Sequence, residues 1–421
     1  MESSRKNLGK ILDSLKKYFV DIEIYYKNCQ SSQLYFNDQK IVQSSESFEE
    51  GTAFRLWDKE GNEYFCHCSH PSNHILKIME RICSEIGVAA RIKSRFSYSL
   101  PSQDRSAGGL KIFCSETAQL SAKTKRNFVN KLIFALKSIE TEETSLNFGQ
   151  FIISRSHHML LNSRGFEGMF DRTLASVSLS SDISHSFASS SFLDLSIDRI
   201  CKEVHGFPSN RRSISFFLNE RLKNGTYKVL FAPNAGAELL RHLAPYLTGI
   251  HRTAFAGNLT LLDDTTMEKG LNSYPFDGAG FPAEKRVIIE NGHFVAPLKS
   301  IIRISYTDRP MPGPTNLYIQ PRGDIPENMV KEIDRGFHVT HVRPLFSTNM
   351  DGSFLGLGSG FTIEHGAGVP ICQNFCLSGN VFDVFRDISK IGNDLQFHFW
   401  GGCFGSPSIL IEKMKVMPYF S

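Results

Sequence analysis

A change of texture near Tyr227 most constrains how this chain folds. Upstream of it, apolar residues recur at helical spacing in some stretches and alternate with period two in others. Downstream, the sequence is rich in glycine and in short β-prone runs, with few helical periodicities. There Asn291-Gly292 separates Val287-Ile288-Ile289 from Phe294-Val295, the turn chemistry of a two-residue hairpin. The expected class is α+β, with N-terminal helix/sheet units followed by a large, mostly antiparallel, β-rich C-terminal domain. At 421 residues the chain is too long for one simple core.

Three units are expected, over 1–90, 110–215 and 222–421. In the first, Leu8, Ile11, Leu12, Leu15 and Phe19 predict an amphipathic helix over 4–19. Period-two stretches over 21–57 and 63–68 predict strands, and a second helix is expected over 74–86. Residues 90–110, rich in Ser, Pro, Gly and charge, read as a linker. The second unit should hold a helix over 119–140, a strand over 148–161 and a short helix near 192–204. Between them, 172–191 is serine-rich, but Leu174, Val177 and Leu179 alternate as in a strand. In the third unit helices are expected over 236–247, 327–335 and 380–391, and closing strands over 395–400 and 409–416. Pro245 should kink or end the first of these helices.

The basic residues are scattered and the net charge is only +4, so nucleic acid is not an expected partner. No run of about 18 apolar residues predicts a membrane-spanning helix, and no signal peptide is read at the N-terminus. Nine irregularly spaced cysteines fit reduced thiols, so a cytoplasmic location is expected.

Four constellations carry chemistry-bearing residue types. Cys66-His67-Cys68-Ser69-His70 has metal-ligand types at the wrong spacing, and a strand would turn His67 away from both cysteines. His157-His158, adjacent in an extended segment, point apart, one exposed and one packed. Gly356-Leu357-Gly358-Ser359-Gly360 precedes a strand rather than a helix, so it reads as close backbone approach and not as a phosphate loop. Finally, Ala237-Glu238-Leu239-Leu240-Arg241-His242-Leu243-Ala244-Pro245-Tyr246-Leu247 places one histidine on an apolar helix.

An ordered set of pieces gives that helix a context. They are Val229 to Leu247, Leu259-Thr260-Leu261-Leu262-Asp263-Asp264, Pro275-Phe276-Asp277-Gly278-Ala279-Gly280, and Thr315-Asn316-Leu317-Tyr318-Ile319. Asp351-Gly352-Ser353-Phe354, Ile363-Glu364-His365-Gly366, Gly379-Asn380-Val381-Phe382 and Ile391-Gly392-Asn393-Asp394 follow. In this order they resemble the TldD/PmbA peptidase family, also called modulators of DNA gyrase. The resemblance implies a helix that carries HExxxH in the catalytic TldD branch, with a cysteine near the C-terminus completing a zinc site. Here His242 matches the first histidine, Leu243 stands at the glutamate and Leu247 at the second histidine. Cys403, in Gly401-Gly402-Cys403-Phe404-Gly405, falls near the cysteine. Leucine neither binds zinc nor deprotonates water. The pattern resembles the PmbA (TldE) branch, with no catalytic residue and no metal of its own, and His242 and Cys403 as possible remnants. At Asp277-Gly278-Ala279-Gly280 the chain departs from the family, which often carries further carboxylates there.

The leading expectation is a non-catalytic subunit of a heteromeric zinc metallopeptidase acting on unstructured peptides. Zinc would sit in a TldD-type partner. A second reading is an active metallopeptidase using His242, Cys403 and a third ligand such as His251 or His398. A third is a peptide-binding scaffold homodimer without peptidase activity.

Overall fold

The computed structural model describes residues 2–37, 39–69, 92–93, 100–102, 110–137, 145–183, 186–194, 223–248, 254–298, 314–343, 346–347, 351–399 and 402–418. The helix expected over 74–86, most of the 90–110 linker, 195–204 of the helix expected near 192–204, and His251 lie outside them. The helices are α1 (Glu2–Leu15), α2 (Ser115–Ala118), α3 (Ala122–Lys137), α4 (Pro233–Leu243), α5 (Pro326–Lys331) and α6 (Val381–Arg386). The strands of the N-terminal half are β1 (Asp21–Phe36), β2 (Ile41–Trp57), β3 (Asn62–Cys68), β4 (Ile92–Lys93), β5 (Ser145–Asn162), β6 (Glu167–Ile183) and β7 (Ser186–Asp194). They form one antiparallel sheet in the order β4-β3-β2-β1-β5-β6-β7. β1 bonds β2 on one side and β5 on the other, so strands from 1–90 and 110–215 share this sheet. The serine-rich stretch over 172–191 is strand, and 192–194 ends β7 where a helix was expected to begin.

Alternation along β1 explains how the helices cover the sheet. Ile22, Ile24 and Tyr26 point to one face and meet Leu8, Ile11, Leu12 and Leu15 of α1. Farther along the same face, Leu34 and Phe36 meet Val129, Leu132 and Ile133 of α3. The opposite face carries Tyr25, which joins Leu160, Phe166 and Phe276. Phe276, of the Pro275-Phe276-Asp277 turn, stands edge-on to Phe166 and Phe170, with both centroids 5.3 Å away. It docks the C-terminal half onto the uncovered face of the sheet.

The C-terminal half contains β8 (Gly225–Phe231), β9 (Leu261–Asp264), β10 (Lys285–Glu290), β11 (His293–Phe294), β12 (Asn316–Ile319), β13 (Arg335–Val342) and β14 (Phe346–Ser347). β15 (Ser353–Glu364), β16 (Ala367–Asn380), β17 (Ile388–Ile391), β18 (Gln396–Phe399), β19 (Cys403–Ser406) and β20 (Ile409–Pro418) complete it. One sheet runs β11-β10-β9-β12-β19-β18. In the other, pairing of β13 with β15 closes β13, β8, β20, β16 and β15 into a ring. All pairings are antiparallel except β12 with β19 and β8 with β13. Successive ring residues alternate between two cores: Val229 and Phe231 join α4 in the larger one, and Leu230 joins Met329 and Ile333 in the smaller. The mostly antiparallel α+β architecture is the one expected from the sequence.

Local chemistry sets the element ends. α4 begins with Pro233, whose missing N–H costs nothing at a first turn. It ends at Leu243, and Ala244–Thr248 tightens to a 3₁₀ turn around Pro245. The helix expected over 380–391 stops at Arg386, and its remainder is β17. There the β-branched Ile388 and Ile391 pair with β20, so tertiary pairing outweighs local periodicity. Among the described residues no helix is long and apolar enough to cross a membrane. Gly358 and Gly360 lie within β15, and a Cβ on Gly360 would collide with the carbonyl of His338. This is the close approach expected there.

Asn291 and Gly292 have φ of 46° and 81°, the left-handed pair of the expected hairpin. A Cβ on Gly292 would lie 2.7 Å from the Phe255 carbonyl oxygen. Gly292→Ala therefore combines left-handed strain with a backbone clash. It should cost roughly 2–3 kcal/mol, read as a lower urea midpoint at unchanged slope.

Candidate functional site

His242 lies on α4, half-buried, with its ring edge-on to Tyr246 and Phe354 at centroid distances of 6.1 and 5.6 Å. Its Nε2 is buried without a hydrogen-bond partner. Burial, then the neighbouring Arg241, hold its pKa below the usual histidine range. Leu243 and Leu247 are both 0% exposed and belong to the largest core.

Cys403 is elsewhere. On β19, Phe404 joins the core that contains Leu239, Leu240 and Leu243, and Ser406 meets Gly236 of α4. Alternation turns Cys403 to the opposite face. There it packs with Leu110, Ile112 and Leu271 and against Phe170 and Leu174 of the N-terminal sheet. Burial pushes its thiol up to about 12, so it carries little thiolate to offer a metal. The two possible remnants are thus on opposite sides of β19. Among the described residues no group of three or more His, Cys, Asp or Glu is arranged to hold a metal ion. One histidine among aromatic rings, a protonated thiol behind a strand and two core leucines do not fit the zinc of an HExxxH site. His398, on β18, is held down to about 4 by burial, with His341 adding to the effect.

The other constellations resolve simply. Cys66 and Cys68 pack against the α1 core while His67 is exposed; His70 lies outside the described residues. His157 and His158 do point apart, but neither is exposed. His157 Nδ1 is 2.9 Å from Asp171 Oδ1. His158 stacks on Phe170 at 4.5 Å. Its Nδ1 is 2.6 Å from the Tyr25 hydroxyl and its Nε2 is 2.9 Å from Ser156 Oγ. A neutral ring with its proton on Nε2 satisfies both. The C-terminal half covers this face, which removes the solvent expected on one side.

Burial, then the Lys27 and Arg172 charges, hold His158 down to about 3. The unfolded chain would titrate near pH 6.5. Below that value it binds a proton that the folded chain refuses. This contribution is whole above pH 6.5 and is lost as pH falls toward 3, at up to about 1.4 kcal/mol per pH unit. Urea midpoints measured from pH 7 to 4 should fall less steeply for His158→Gln than for the wild type.

Beside Cys403 lies a polar network that sequence reasoning did not single out. Asp263, fully buried, accepts from Thr315 N and Oγ1 at 2.9 and 2.7 Å and from Arg286 at 2.6 Å. Asn316 Nδ2 donates to the Asp264 carbonyl and to Ser273, and its Oδ1 accepts from Asn272 N. Asn272 Oδ1 accepts from Arg172 of β6 at 3.2 Å. Two of the ordered sequence pieces, Leu261-Leu262-Asp263-Asp264 and Thr315-Asn316-Leu317, therefore meet in one cluster. Carboxylates inside an apolar run were the available signal. Asp277 of the turn piece bonds Ala279 N and Phe281 N through Oδ1, closing the loop that carries Phe276.

Comparison with known proteins places this geometry. Residues 224–418 match the family described as PmbA/TldA metallopeptidase C-terminal domain. The chain is 28% identical over 227 residues to Metalloprotease PmbA of Escherichia coli O157:H7, a match covering 49% of each protein. It is 27% identical over 191 residues to the Metalloprotease TldD homolog of Buchnera aphidicola subsp. Schizaphis graminum, covering 37% of this chain and 38% of that protein. The chain thus spans about half the length, or less, of these curated relatives. The crystal structure of TldE from Thermococcus kodakarensis superposes with a TM-score of 0.79 at 18% identity, over 98% of this chain and all of that one. That likeness shows a shared fold. The resemblance to the PmbA/TldD family read from the sequence is thus shown over residues 224–418, which match that family's C-terminal domain.

Proposed function

We propose that this chain is a non-catalytic, TldE/PmbA-like subunit of a heteromeric zinc metallopeptidase that acts on unstructured peptides. The observation that carries this reading is the burial of Leu243 and Leu247 at the positions of the family's glutamate and second histidine. Neither supplies a ligand or a base, and both are packed in the apolar core. Zinc and the general base belong to a TldD-type partner. This chain contributes walls and strand edges. Among the described residues β11 ends the sheet that begins with β18, and an extended peptide adds to a sheet edge through its backbone alone.

The test is co-purification with a TldD-type chain from the same cell. Peptide hydrolysis should appear only in the mixture, and zinc content should follow the partner. Hydrolysis by this chain alone, lost with chelator and with His242→Ala, would establish an active metallopeptidase instead. A stable homodimer in a cell that encodes no HExxxH relative would leave the scaffold reading.

A further inference from the structure

Among the described residues, Arg172 forms no ion pair. It sits on the face of β6 turned toward the C-terminal half, with Ser156 opposite it on β5 and Cys29 opposite Ser156 on β1. Its one hydrogen bond among the described residues goes to the neutral amide of Asn272, and its buried Nε has no partner. The Cys403 thiol beside it is kept protonated by burial and so offers no compensating charge. Burial lowers the Arg172 pKa, yet the side chain keeps a partial opening to solvent. A guanidinium withdrawn from water is ordinarily found with a carboxylate or phosphate, because the uncompensated charge is costly. One row along the same face, Lys27 lies opposite His158 and is exposed, with no ion pair among the described residues. Glu49, opposite Cys29 on β2, forms an ion pair with neither cation.

We propose that Arg172, assisted by Lys27, is a carboxylate-binding site on this sheet face and receives a carboxylate of the bound peptide. The planar fork of arginine suits a two-oxygen acceptor, whereas Asn272 and Ser156 offer neutral polar neighbours that do not compete for the charge. Cys403 closes one side of the site as a packed neutral thiol. The carboxylate has two sources, the peptide C-terminus or an acidic side chain. This inference rests on the reading that the chain holds peptide.

The experiment uses three fluorescein-labelled octapeptides of Ala, Ser and Leu. One has a free C-terminus, one is amidated, and one is amidated with a single internal Glu. Each is titrated by anisotropy against the full chain, alone and in its complex with a TldD-type chain. Tighter binding of the free C-terminus, by about tenfold over the amidated peptide, assigns the terminal carboxylate; the same gain for the Glu peptide assigns the side chain. Arg172→Gln should bring the favoured peptide to the level of the amidated one, and Arg172→Lys should keep part of the preference. The melting temperature of Arg172→Gln should hold or rise, because an uncompensated buried cation has been removed. A clear fall in melting temperature would instead make Arg172 a structural tie between the two halves and overturn the proposal. Equal binding of all three peptides overturns the carboxylate site and leaves peptide holding intact. Binding of none overturns peptide holding itself.

Discussion

Writing the letters HExxxH into α4, as Leu243→Glu with Leu247→His, is expected to unfold much of the protein rather than create a zinc site. Both leucines are fully buried among Leu239, Leu240 and their neighbours. A carboxylate at position 243 would enter an apolar core, and an imidazole at 247 would replace a packed isobutyl group. Such changes cost about 3–5 kcal/mol for the glutamate alone, against a total stability of about 5–15 kcal/mol for a typical domain. Soluble yield and urea midpoint are the readouts, with zinc content measured on whatever folds. Near-normal stability together with one tightly bound zinc per chain would mean that the site is latent and that the core reading of Leu243 and Leu247 is wrong.

Removing the carboxylate of Asp263 should have an effect of similar size for a different reason. Asp263→Ala takes a carboxylate partner from Arg286, whose side chain is 12% exposed, and an acceptor from Thr315 N and Oγ1 at once. Breaking one side of a buried ion pair typically costs about 3–5 kcal/mol, most of it the penalty of leaving the other charge uncompensated. The double variant Asp263→Ala with Arg286→Met should therefore recover part of the loss. A coupling of roughly 1–3 kcal/mol in the double-mutant cycle would confirm the direct pairing. Simple additivity would show that Asp263 acts through Thr315 alone. The network joins β9, β10 and β12, so its loss should also loosen the strand that carries Cys403, which pairs with β12.

Much of this was legible in the chain. Leu8, Ile11, Leu12 and Leu15 marked α1 and its buried face, and Asn291-Gly292 marked a hairpin whose φ values are those a left-handed turn requires. Pro245 marked the end of α4 because a missing N–H acts locally. The failures share one cause. Ile388 and Ile391 lie in a strand rather than a helix because β20 offers them partners. His158 is packed because Phe170 and the C-terminal half close over its face.

The candidate site divides in the same way. The helix that carries His242, Leu243 and Leu247 could be read from its apolar spacing, while the comparison of these three positions with HExxxH came from the family resemblance. Whether Cys403 belonged with His242 depended on which face of β19 it occupies, and that is set by strand register and sheet order, which local sequence does not encode. The Asp263–Arg286–Thr315 cluster and Arg172, which forms no ion pair among the described residues, are likewise products of strands brought together from distant parts of the chain. Turns, caps and amphipathic faces were legible in the sequence, because they depend on neighbours within a few residues. Strand pairing, and which charges meet a partner among the described residues, depend on what the fold places across the sheet.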